Sequence, residues 1–221
     1  MVVRKKFSRK QLLHFMANLR VVLIGMEACG GSHFLARTLR EQGHEVCLIP
    51  AQYVKPFVKT NKIYYIDAEA IAEAVGRPRM RFVPIKSVEQ FDMQSLHRLR
   101  EGWVRRRTGV INQLRGLLME RGIAVRKEQR HIKDALPGIL EDADNKLSRA
   151  MRVLLLQACS EMKQLQSQID ATDAVIRRMA GEDEVCQRLV EVPGIGPVIA
   201  TAMISAIGHG AAFKKGRGFA A

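Results

Sequence analysis

Aromatic residues are scarce. Phe, Tyr and Trp make up 5% of 221 residues, so the 47% that is hydrophobic is mostly Leu, Ile, Val, Met and Ala, a mixture that favours helix. Cysteines are few and scattered. Cys29, Cys47, Cys159 and Cys186 form no CxxC pair and stand at no metal-ligand spacing from a histidine. That excludes a disulfide scaffold and a zinc ribbon, and points to reduced thiols in a cytoplasmic protein. Long apolar runs are missing too. The longest, Val21 to Met26 between Arg20 and Glu27, is far short of the ~20 residues a membrane span needs, so no membrane partner is expected. Acids are outnumbered, 22 against 36 Lys and Arg, for a net charge of +14. That balance suits a protein that meets a polyanion. The first 26 residues carry no acid and several bases. No small-residue cleavage site follows an apolar core there, so the stretch reads as part of the fold.

What is present begins as an α/β pattern. Met1 to Lys6 reads as an edge strand, and Ser8 to Leu19 has helical apolar spacing. Val21 to Met26 reads as a strand buried on both faces. Gly30-Gly31-Ser32 turns the chain, with Ser32 as N-cap of a helix over Phe34 to Gln42. Glu45 to Ile49 reads as a strand, Gln52 to Val58 as helical, and Arg81 to Ile85 as a further strand. Strands alternating with helices predict parallel neighbours. This first domain runs over residues 1–86.

The composition then shifts to long helices. Leu96, Leu99, Trp103, Val110, Leu114 and Leu117 lie on one stripe of a helix ending near Gly122. From Leu147 a second stripe carries Met151, Leu154, Ala158, Met162, Leu165, Ile169, Ile176 and Met179, a near-heptad seam. Pro137-Gly138 is expected to break the chain between them. The pair makes either an antiparallel hairpin or a dimerising coiled coil, spanning residues 87–181. Between Arg98 and Lys133 eleven bases face three acids. Arg98, Arg105, Arg106, Arg107 and Arg115 are candidates to touch a nucleic-acid backbone, with a solvated helix face as the plain alternative.

The last segment, residues 182–221, contains LVEVPGIGPVIATAMISAIG. Gly194 and Gly196 bracket Ile195 between two helical patterns, in the manner of a helix-hairpin-helix motif. Glycine permits backbone angles barred to other residues and a close approach to phosphate. Pro197 suits a first helical turn. The N–H groups of that turn, Val198 among them, attract a phosphate oxygen. Lys214, Lys215 and Arg217 follow on a Gly-rich tail. A tight helix corner with no ligand is the alternative.

Two stretches bear on catalysis. GMEACGGS, Gly25 to Ser32, looks like a phosphate-binding loop, but Gly31 stands where the lysine is needed. Glu27 instead falls at the carboxyl end of a strand, where open α/β sheets place their sites. His33 is close in sequence and reads as structural. In NKIYYIDAEAIAEAVGRP, Asp67 reads as the N-cap of a helix that Gly76 and Pro78 stop.

The stretches GMEACGGSHFLARTL, VKPFVKTNK, DAEAIAEAVGRPRMRFVPIKS, HRLREGWVRRRTGVINQLRGLL and VPGIGPVIATAMISAIG resemble the DEDD transposases of bacterial insertion sequences over nearly the whole chain. The resemblance implies a partial RuvC-like, RNase H-type sheet followed by an all-α spacer and a C-terminal transposase domain. It implies DNA transposition and recombination, Mg²⁺ held by four acids, a bacterial, nucleoid-associated location and, for some members, a guiding non-coding RNA. Glu27 matches the second acid and Asp67 the fourth. The third belongs three residues before Asp67, where Tyr64 stands. A phenol with pKa ~10 is a poor ligand for a hard cation at neutral pH. The first acid belongs before Met1 and a nucleophilic serine after Ala221, so truncation at both ends is expected. The expectation is a catalytically impaired transposase that still binds DNA. The alternatives are a DNA-binding regulatory partner of an intact transposase, as homo- or hetero-oligomer, and a decayed gene product.

Overall fold

A computed structural model describes residues 5–20, 23–57, 64–208, 210 and 216–217. It has two compact units, one within Met1–Val88 and one within Glu89–Ala211. The strand expected over Met1 to Lys6 and the residues Val21, Val22, Lys214 and Lys215 fall wholly or partly outside the described residues.

The first unit is built on two strands. β1 (Leu23–Glu27) and β2 (Glu45–Ile49) pair in parallel, with Gly25 opposite Cys47 and Glu27 opposite Ile49. Alternation sends side chains to opposite faces. Val46 and Leu48 join Ala36 and Leu39 of α2 (Ser32–Glu41), with Leu13 and Met16 of α1 (Arg9–Ala17) against them. On the other face Ile49 meets α3 (Ala51–Val54) and α4 (Tyr64–Val75) through Val54, Ala70 and Ala74. The sheet is thus covered by helices on both sides.

Three expectations change here. The predicted strand over Arg81–Ile85 is a single antiparallel bridge, Val83 to Leu48. That segment is held by side chains of α2 instead: His33 Nδ1 accepts from the Lys86 N–H at 3.2 Å, and Arg37 donates to the Lys86 carbonyl at 2.7 Å. β1 is only half-buried, with Leu23 40% exposed, because β2 is its one ladder partner among the described residues. Ser32 does not cap α2. Gly31 takes the N-cap in the left-handed region (φ 86°), and the Ser32 hydroxyl donates to the Cys29 carbonyl at 2.8 Å. Ser8, not singled out as a cap from sequence, forms a capping box with Gln11 ahead of α1.

The second unit is all helix: α5 (Val88–Met119), α6 (Gln129–Glu141), α7 (Arg149–Glu182), α8 (Glu184–Val190) and α9 (Pro197–Ile207). Gly122, at φ 78°, lies in the turn after α5. Arg100 bonds to Asp173 and Arg107 to Gln166. Seven residues forward on α5 match seven backward on α7, so the two run antiparallel. Ile111, Leu114, Leu118, Ile132, Leu136, Leu155 and Met162 share one core among α5, α6 and α7. Of the stripe expected on α7, Met162, Leu165, Ile169 and Ile176 are buried, and toward each end burial shifts by one residue: Leu155 is fully buried whereas Leu154 is 52% exposed, and Ala180 rather than Met179 is buried.

Pro137 does not break the chain but lies inside α6. It removes a hydrogen bond to the Lys133 carbonyl, a defect of ~3 kcal/mol. Full burial of Ile132 and Leu136 on the same helix offsets it. The break comes after Glu141, where Arg152 of α7 donates to the carbonyls of Ile139, Leu140 and Asp142. Those are the end carbonyls a helix leaves unsatisfied. No helix among the described residues is long and apolar enough to cross a membrane.

Candidate carboxylate site and nucleic-acid interface

Glu27 is the last residue of β1, on the same side of the sheet as Gly25. Gly25 lets α4 approach closely: a Cβ there would sit 3.0 Å from the Val75 Cβ and 3.1 Å from Ile71 Cγ2. Beyond Gly25 the strand opens into a pocket of about 390 Å³ whose walls include Glu27, Arg9, Cys29, Ser32 and Ile71. Asp67 lies one helical turn before Ile71, at i−4 on the same stripe of α4. The fold therefore gathers Glu27 and the Asp67 end of α4 in one unit. It does not make Asp67 an N-cap, as expected from sequence. The helix starts at Tyr64, and Asp67 sits in its first turn, where a carboxylate favours the helix dipole. Tyr64, where the resemblance leads one to expect the third acid, precedes Asp67 by three residues within this helix.

Among the described residues no three His, Cys, Asp or Glu side chains converge as metal ligands would. Arg9 shares the pocket with Glu27, and its guanidinium lies 5.5 Å from the centre of the Phe34 ring. His33 does not line the pocket. Its imidazole is held below its ordinary pKa, first by burial and then by Lys86 and Arg37.

The basic stretch of α5 divides in two. Arg98, Arg105 and Arg106 are exposed, and Arg105 pairs with Glu101 at 3.1 Å on a solvated surface. Arg107 and Arg115 turn inward. Arg107 donates to Gln166, whose carbonyl oxygen also accepts from Gln129 of α6. Its Nε is buried without a hydrogen-bond partner among the described residues. Arg115 donates to the Val125 carbonyl at 3.1 Å. Sequence reading did not separate these classes, yet a signal existed. Arg107 lies three and four residues before the core pair Val110 and Ile111, and Arg115 four after Ile111.

At the C-terminal end, α8 and α9 pack through Cys186, Leu189, Ala200 and Ile204. Gly194 has φ 89°, Gly196 is the N-cap of α9 and Pro197 occupies its first turn. The Ile195 N–H donates to Val192, closing the turn at 3.0 Å. Val198 is half-buried in the first turn of α9, and Arg217 is exposed. His97 of α5 steadies α9 by bonding Thr201 Oγ1 at 2.9 Å. The Thr201 hydroxyl donates to the Pro197 carbonyl, so the imidazole is the donor.

The sequence profile of the DEDD transposases of the IS110 type, described as transposase, matches residues 4–121. The chain is similar to a probable family 20 transposase of Pseudomonas aeruginosa, 42% identical over 221 residues, all of this chain and 65% of that protein. It is similar to the transposase for insertion sequence element IS1328 of Yersinia enterocolitica, 38% identical over 220 residues, with the same two coverages. A third relative is the transposase for insertion sequence element IS1111A of Coxiella burnetii, 35% identical over 98% of this chain and 59% of its own length. The chain thus spans 59–65% of the length of these relatives. With more than half of its residues matched by the family profile, the chain belongs to the DEDD transposases of the IS110 type.

Proposed function

We propose that this chain binds DNA in the movement of an insertion sequence and that its own carboxylates cleave phosphodiesters poorly or not at all. The observation behind this reading is Tyr64 three residues before Asp67 in α4. The family's acids imply a divalent metal, which would polarise the phosphodiester and activate the attacking group. Glu27 and Asp67, with a phenol in the third place and Arg9 beside Glu27, do not suit a two-ion site. Binding rests on other groups. Arg98, Arg105 and Arg106 reach solvent along α5 and suit phosphate contact. The Gly194–Gly196 turn and the first turn of α9, with Val198, suit a phosphate by their N–H groups. Lys214 and Lys215 add charge by sequence. Arg107 and Arg115 position α5 rather than face the ligand.

The test uses the full chain, element-end duplex DNA and Mg²⁺ or Mn²⁺. The expected result is binding that weakens steeply with salt, without strand cleavage. Arg105→Ala with Arg106→Ala should flatten the log–log salt slope by ~1.8. A nearly flat slope in the unmodified chain overturns the binding half. Cleavage that disappears in Glu27→Ala overturns the other.

A second reading, a regulatory partner for an intact transposase, draws support from Val153, Leu154 and Leu156, 48–54% exposed near the start of α7. Sedimentation with and without the full-length protein tests it, and monomers in both cases remove it.

A further inference from the structure

A second pocket in the first unit is lined by Tyr53, Pro56, Arg77, Arg79, Met80 and Arg81, with a volume of about 440 Å³. The backbone that carries its arginines is fixed at both ends. At one end the Met80 N–H donates to the Arg77 carbonyl at 3.1 Å, closing a turn with Pro78 in its second position. At the other, the Val83 N–H donates to the Leu48 carbonyl at 2.7 Å, joining the segment to β2. Between these anchors Met80 packs inward against the core of Ile49, Val54, Ala70 and Ala74. Arg79 and Arg81, on either side of it, are exposed and pair with no acid among the described residues. Arg77 is held by Glu73 of α4. Tyr53 packs against the same core, which fixes the ring as an apolar wall.

Among the described residues no carboxylate lines this pocket. Its volume is within the range of sites that take one small molecule or one nucleotide. A rigid aromatic wall beside two open guanidinium groups is the chemistry that receives an unpaired base and its flanking phosphates. A base in a closed duplex could not enter it. We infer that the Tyr53–Arg79–Arg81 pocket binds an unpaired nucleotide of a DNA or RNA strand. The base lies against Tyr53 and the phosphates against Arg79 and Arg81. This inference rests on the nucleic-acid reading above but assigns a site in the other unit, with different strand selectivity.

The experiment measures anisotropy of labelled 12-mers, single-stranded deoxyribose, single-stranded ribose and duplex, on the full chain across a salt series. It compares the unmodified chain with Arg79→Ala/Arg81→Ala, Tyr53→Leu and Arg105→Ala/Arg106→Ala. The first variant should lose about tenfold in single-strand affinity and flatten that salt slope by ~1.4, with duplex binding unchanged. The α5 variant should do the reverse. A strand carrying 5-iodouridine should photo-crosslink to Tyr53, a readout that needs no variant to fold. Loss with either sugar supports the shared chemistry and names its source. Equal single-strand affinity in the unmodified chain and the Arg79/Arg81 variant, or equal loss for single strand and duplex, overturns this pocket and leaves the duplex reading standing. A chain that binds neither form overturns both.

Discussion

The two units solve close packing in different ways. Within Met1–Val88 small residues on the helices and on β1 set the closest approaches, beside Leu39, Leu48 and Ile49. Gly25 admits Ile71 and Val75, and Ala36, Ala70 and Ala74 are almost wholly buried against the sheet. Within Glu89–Ala211 bulky Leu, Ile and Met side chains fill the space between long helices, with Arg100, Arg107 and Arg152 bonding from one helix to the next. A site on the first unit depends on backbone separations that one methyl group can upset. A site on the second depends on charge displayed along a helix, which tolerates small shifts.

The sharpest test of this contrast is in the helical core. Leu118→Ala, at a position with no exposure, should destabilise that unit by about 2–5 kcal/mol, read as a lower denaturation midpoint. A loss below 1 kcal/mol would mean that the helix-to-helix bonds and not the apolar fill hold it. Next, Gly25→Ala should cost about 1–3 kcal/mol, since the added Cβ meets Val75 at 3.0 Å. It should also raise hydrogen exchange in α4 while α7 is unaffected. Unaltered exchange in α4 would show that the glycine is not the close-approach point.

A smaller effect concerns His97. Burial, then the charge of Arg100, holds its imidazole below the ordinary value of 6.5. The unfolded chain therefore takes up a proton that the fold resists. Stability from this group is complete above pH 6.5, falls as pH drops below it, and levels off once the folded histidine is also protonated. In His97→Gln the difference in stability between pH 7.5 and 5.5 should shrink, and an unchanged difference would discount this histidine. The smallest effect is chemical. Burial, with help from the Asp183 carboxylate, pushes the Cys186 thiol up to about 11, whereas Cys29 is exposed beside Glu27. At pH 8 alkylation should mark Cys29 first and Cys186 last. The opposite order would mean that α8 and α9 open readily.

Legibility in the sequence followed how local each signal was. β2 was found at its true bounds, because Glu45–Ile49 lies between a Gly43 turn and Pro50. The helix expected from Ser8 was found to within a residue at its start, because the Ser8 cap and its partner Gln11 are three residues apart. Pro137 misled because its local preference is outweighed by burial against α5 and α7, helices distant in sequence. Leu154 and Leu155 could not be told apart, since a near-heptad pattern drifts on a helix as long as α7. For the site, Tyr64 at the place expected for a third acid was legible only through the family resemblance. The sharing of one pocket by Arg9 and Glu27, and the bridge that fixes Arg79 and Arg81, needed the fold.

The opposed register of α5 and α7 works as a ruler marked in single residues. Deleting one residue from the middle of α7 would turn everything after it by ~100° about the axis. Asp173 would swing away from Arg100, and the hairpin that follows would be aimed elsewhere. Point changes on these surfaces are therefore far easier for such a chain to accept than a codon gained or lost between Gln166 and Asp173.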